Sequence, residues 1–140
     1  MAETVKKRLI ASKETKSLDE IRDFVGATVQ LAGFSEHDAR LIVLAIDAAA
    51  TSIILNADQH GLEGDLAIYI DVNDTRLRAE INDLGDVLPI GLLANGEIEE
   101  FRARALKHDL GIFLIRRIMH EVDYEYKRGF INKLVMTRFR

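Results

Sequence analysis

The chain has 140 residues, a formal net charge of -4 and no cysteine. The missing cysteine excludes disulfides, Cys-ligated zinc and a thiol nucleophile, and the acidic balance argues against nucleic acid as the main partner, which needs a concentrated positive field. With 48% apolar residues the chain can bury one sizeable core, so a single domain over residues 1–140 is expected.

The N-terminal stretch MAETVKKRLIAS lacks the apolar core of a signal peptide, which points to the cytoplasm. Val5–Ser12 alternates loosely and predicts a first strand. Ser17 opens S-L-D-E, with Glu20 three residues on, the pattern of a capping box. Leu18, Ile21, Phe24, Val25, Val29 and Leu31 follow at near-helical period, and Gly33 marks the end of that helix.

Ser35 opens a second helix as its cap, with Glu36 and Asp38 at the positive end of the dipole. From Leu41 to Ala57 the only charged residue is Asp47, which predicts a helix central in a core. The stretch is near the lower length limit of a membrane span, but Asp47, Thr51, Ser52 and Asn56 would be costly in lipid, so no membrane is expected. Leu41, Leu44, Ala45, Ala48, Ser52, Leu55 and Asn56 recur at helical spacing. Their small and polar members would let another group approach the backbone.

After a polar loop at Asp58–Gly64, Leu66, Ile68, Ile70 and Val72 alternate with Ala67, Tyr69 and Asp71. Asn73-Asp74 makes a turn, and Leu77, Ala79 and Ile81 alternate again, which predicts a hairpin with one buried face. Asp83 is in phase with Leu77, Ala79 and Ile81, so its carboxylate is aimed at the covered face. It would either satisfy backbone N–H groups of the turn at Leu84-Gly85-Asp86 or serve a ligand. Asn95–His108 is charged and weakly patterned, and fits a short helix, a solvated face or a lid. Leu110, Phe113, Leu114, Ile118 and Met119 give a third helix. Gly111 in its first turn would either allow close packing or admit a phosphate to the free N–H groups there.

Val122–Lys127 and Ile131–Arg138 read as a closing hairpin around Arg128-Gly129. Lys133, Arg138 and Arg140 there read as a solvated edge strand rather than a basic patch. His37, His60, His108 and His120 have no metal-ligand spacing, although a protonated His108 could meet a phosphate. The order predicts an α+β two-layer sandwich, with three helices on one face of a mainly antiparallel or mixed sheet.

These segments resemble, in order and over nearly the whole chain, the anti-sigma factor serine kinases of bacterial stress and sporulation switches. Those kinases share a Bergerat-type ATPase fold with gyrase and the histidine kinases. LIVLAIDAAATSIILNAD is similar to the N-box helix, usually near A-V-D-E-A-x-x-N-x-x-x-H-A. INDLGDVLP resembles the D-x-G box, DLGIFLIRRIMHEVDYEY the stretch G-G-L-G-L-x-L-I-R-x-L-M-D-E-V-x-Y, and INKLVMTR the ending G-N-x-L-x-L-x-K. The resemblance implies that Asp83 hydrogen-bonds adenine and Gly85 lets the base approach. It implies a cofactor-binding set of Asp83, Gly85, Gly111, Ser52, Asn56, His108 and Asn132, with ATP or ADP as ligand. It also implies a homodimer, and as partners a sigma factor or a STAS-type anti-anti-sigma protein.

The chain departs from that pattern at the phosphate end. The glutamate base of the N-box is Ala48, its Mg²⁺-holding asparagine is Ser52, its histidine is Asn56, and the G-G before Gly111 is His108-Asp109. Asp47 cannot replace the glutamate, because one residue along a helix turns a side chain by about 100°. Ser52 offers a metal one neutral oxygen, whereas Mg²⁺ favours carboxylates and phosphates. Asp109 against a triphosphate would cost about 4 kcal/mol for one contact at about 4 Å and an effective dielectric near 20. Losing a general base removes roughly 10²–10⁴ in rate. No catalytic residue is therefore assigned. Three readings follow: a binding regulator that holds adenine nucleotide with weak or no turnover, an active serine kinase with an altered site, and a nucleotide-free interaction domain.

Overall fold

The computed structural model describes residues 4–59, 63–83, 110–127 and 130–140. Its elements run β1 (Val5–Ser12), a 3-10 turn (Thr15–Ser17), α1 (Leu18–Leu31), α2 (Glu36–Gln59), β2 (Asp65–Val72), β3 (Arg76–Asp83), α3 (Leu110–Ile118), β4 (Glu121–Lys127) and β5 (Phe130–Phe139). The strands form one sheet in the order β1-β2-β3-β5-β4, antiparallel at every pairing. This is the expected α+β architecture.

The period of two along β2 and β3 divides the sheet into faces. Leu66, Ile68, Ile70 and Val72 are buried on the helix side with Leu77, Ala79 and Ile81, and Leu134 and Met136 of β5 extend the layer. The opposite face is polar over β3 and β5. Glu80 there accepts hydrogen bonds from Arg78 at 3.2 Å and Asn82 at 2.9 Å, and pairs with Lys133 at 3.3 Å. Asn73 closes the hairpin: its side-chain oxygen accepts from the N–H groups of Thr75 and Arg76.

α2 packs between α1 and α3. Its stripe of Ile42, Ala45, Ile46, Ala49, Ala50 and Ile54 is buried, while Leu44 and Leu55 are exposed. The helix is apolar nearly all round in sequence, yet it occupies an outer layer with one side turned out. The set Leu41–Asn56 expected on one face therefore divides, with Ala45 in the core and Leu44 outside. Among the described residues no helix is long and apolar enough to cross a membrane.

Two local expectations are corrected. Ser17 precedes α1 but makes no side-chain cap. Its φ of -82° and ψ of -11° are already helical, because the 3-10 turn feeds directly into α1, whereas a capping side chain needs an extended residue. Its hydroxyl lies 2.7 Å from that of Ser12 instead. Ser35 does cap α2, its oxygen accepting from the Asp38 N–H at 3.2 Å.

The second correction concerns β5, which is not an edge strand; β1 and β4 are the edges. Its basic residues are tied into the fold. Arg138 donates to the Ile118 carbonyl at 2.6 Å and to Asp38 at 3.1 Å. Arg140 donates to the Ala32 carbonyl at 2.8 Å and lies 4.3 Å above the Phe34 ring.

Candidate functional site

Pairing across the first three strands sets one end of the covered face. Ala11 of β1 is opposite Leu66 of β2, and Leu66 is opposite Asp83 of β3. The three therefore form one row, and the buried positions of Ala11 and Leu66 show which way it faces. Asp83 is aimed under the helices as its phase predicts, and its side chain is only 11% exposed.

The unexpected neighbour is Lys13. The residue lies just past β1, two positions beyond Ala11, and its N–H donates to the Gly64 carbonyl at 2.9 Å, prolonging the ladder. Its side chain is 0% exposed, and its ammonium donates to Asp83 Oδ1 at 2.9 Å. A buried ion pair needs close geometry to offset the loss of hydration, and this one spans three strands to achieve it. Sequence reading missed Lys13. The signal was present, because the alternation that buries Ala11 also turns residue 13 inward, but its partner is 70 residues away.

On α2, Ala48 and Ser52 are half-buried. Asp47 pairs with Arg22 of α1 at 2.8 Å. Gly111 lies in the first turn of α3. Gly85, His108 and the segment Asn95–His108 lie outside the described residues, as do the side chains of Asn56 and Asn132. His120 accepts a hydrogen bond from the Phe139 N–H through Nδ1 at 2.9 Å, a structural role. Among the described residues no cluster of His, Asp or Glu could hold a metal ion.

The chemistry of these groups is uneven. Asp83 offers a carboxylate suited to an amino group at the edge of a base. Ala48 has no polar side-chain atom and Ser52 has one neutral hydroxyl, a donor set that does not fit Mg²⁺. Among the described residues, then, Asp83 carries the chemistry a base edge would need, while positions 48 and 52 offer none of the carboxylate oxygens that Mg²⁺ favours.

No curated relative matches the chain. The histidine kinase-like ATPase domain matches over residues 11–138, from the end of β1 into β5, and takes in Asp83 and the Ala48–Ser52 segment of α2. An ATPase family points to nucleotide binding, in keeping with the inward carboxylate at the end of β3. By this match, covering nearly all of its length, the chain belongs to the histidine kinase-like ATPase domain family.

Proposed function

We propose that the chain is a switch-type regulator of the anti-sigma class, acting by binding a protein partner in the cytoplasm and holding adenine nucleotide with weak or no phosphoryl transfer. The partner class is a sigma factor or a STAS-type anti-anti-sigma protein, and the active unit is a homodimer. The observation that carries the reading is Asp83, a carboxylate turned onto the covered face at the end of the central strand. The methyl of Ala48 and the hydroxyl of Ser52 support the second half, since phosphoryl transfer depends on placement and on neutralising charge.

Nucleotide binding is tested by the melting temperature with and without ATP, because a ligand that binds only the native state stabilises it. The Asp83→Asn variant should bind ATP more weakly by at least ~1 kcal/mol, the scale of one buried hydrogen bond. Unchanged affinity would reject this pocket. Labelled phosphate transferred to a STAS-domain partner would instead favour an active kinase. A nucleotide-free interaction domain is a second reading, favoured by the Lys13–Asp83 pair, which already occupies one oxygen of the carboxylate. It predicts no melting shift with any adenine nucleotide.

A further inference from the structure

We propose that Lys13 is an internal competitor for the nucleobase at Asp83, and so a determinant of affinity and base choice. The proposal rests on the reading of Asp83 as the base-binding carboxylate. The observation is a fully buried ammonium 2.9 Å from the oxygen of a carboxylate that a purine amino group would also use.

The two donors differ in strength. The ammonium makes a charge-assisted hydrogen bond, roughly twice as strong as that of a neutral amino group. They also differ in what it costs to arrive. Lys13 is anchored by its own backbone bond to Gly64, whereas a nucleotide gives up translational and rotational freedom. The ammonium cannot retreat to water at low cost, because its side chain is enclosed. An incoming amino group must therefore share the carboxylate with Lys13 or displace it. The competition acts on the exocyclic amino group, so a purine with a carbonyl oxygen at that position, which accepts rather than donates, does not contend with Lys13 for the carboxylate. A residue whose only role was to stabilise the fold would affect all nucleotides alike.

The test is titration calorimetry of the full chain with ATP and with inosine triphosphate. Wild type is compared with Lys13→Met, Lys13→Gln and Lys13→Arg, and a thermal melt establishes that each is folded. Removing the charge-assisted competitor should tighten ATP binding about tenfold in Lys13→Met, with Lys13→Gln intermediate and Lys13→Arg like wild type. Inosine triphosphate should show no gain in any variant. The proposal is overturned if Lys13→Met and Lys13→Gln bind ATP no more tightly than wild type, or if the inosine nucleotide gains as much as ATP. If Lys13→Met does not fold, Lys13→Gln against Lys13→Arg decides on the same terms. An Asp83→Asn control separates the two ideas. ATP binding that depends on Asp83 but not on Lys13 rejects the competitor alone. Binding indifferent to Asp83, or absent from every variant, rejects the pocket with it.

Discussion

At the scale of residues, the buried pair Lys13–Asp83 links stability to the proposed recognition of the base. Each partner is held where water cannot compensate it, so removing one leaves an exposed problem for the other. Lys13→Met should lower unfolding free energy by about 3 kcal/mol, the size found when a buried pair is broken from one side, measured by urea denaturation. A loss under ~1 kcal/mol would show the pair to be solvated in practice. Gly33 is a simpler case. Its φ of +82° follows the end of α1, and a Cβ there would meet nothing within 4 Å. The cost of Gly33→Ala is then purely conformational, about 1 kcal/mol. How far these features are legible in sequence depends on how local they are. The inward aim of Asp83 follows from the alternation of Leu77, Ala79 and Ile81. Lys13 needs the register Ala11–Leu66–Asp83, and nothing within ten residues of it reports that.

At the scale of elements, two serines with similar sequence signatures behave differently. Ser35 caps α2 and Ser17 does not cap α1. Ser35→Ala should destabilise by about 1 kcal/mol, through the free N–H of Asp38. Ser17→Ala should act through the lost Ser12 contact alone and leave the helix content of α1 unchanged by circular dichroism. The pattern S-x-x-E names a candidate cap, but the backbone of the preceding turn decides whether the hydroxyl is available. The outer sheet face offers a pH test. Partial burial pushes the Glu80 carboxyl up, yet hydrogen bonds from Asn82 and Lys133, with the charges of Lys133 and Arg78, outweigh it and hold the group below its usual range. Its ionised form is thus favoured in the folded state. The stabilisation is present above the ordinary glutamate range and is lost as pH falls through the lowered value. Glu80→Gln should cost up to ~1 kcal/mol at neutral pH and nothing in acid, compared by denaturation at the two pH values.

At the scale of the molecule, the helix and strand order is readable because amphipathic periods are local and because Asn73-Asp74 marks the turn between β2 and β3; the expected turn at Arg128-Gly129 lies outside the described residues. The sheet order is not readable in this way. β5 lies between β3 and β4, and that placement turns an apparent basic edge into ties: Lys133 pairs across strands with Glu80, while Arg138 and Arg140 join the sheet to the helices. The chain has the fold of its family, with Ala48 and Ser52 on α2 at the two positions where the resemblance implies an acid and a metal holder. Under the proposed function that division serves a binding output, because a packed sheet and helices hold their shape without turnover.

The most direct measurement is calorimetric titration of ATP into wild type and Asp83→Asn, each with and without Mg²⁺. Recognition through the base end alone predicts that wild type binds, that Asp83→Asn weakens binding by roughly tenfold or more, and that Mg²⁺ changes neither affinity beyond about threefold. Tight binding that requires Mg²⁺ and ignores Asp83 would contradict it.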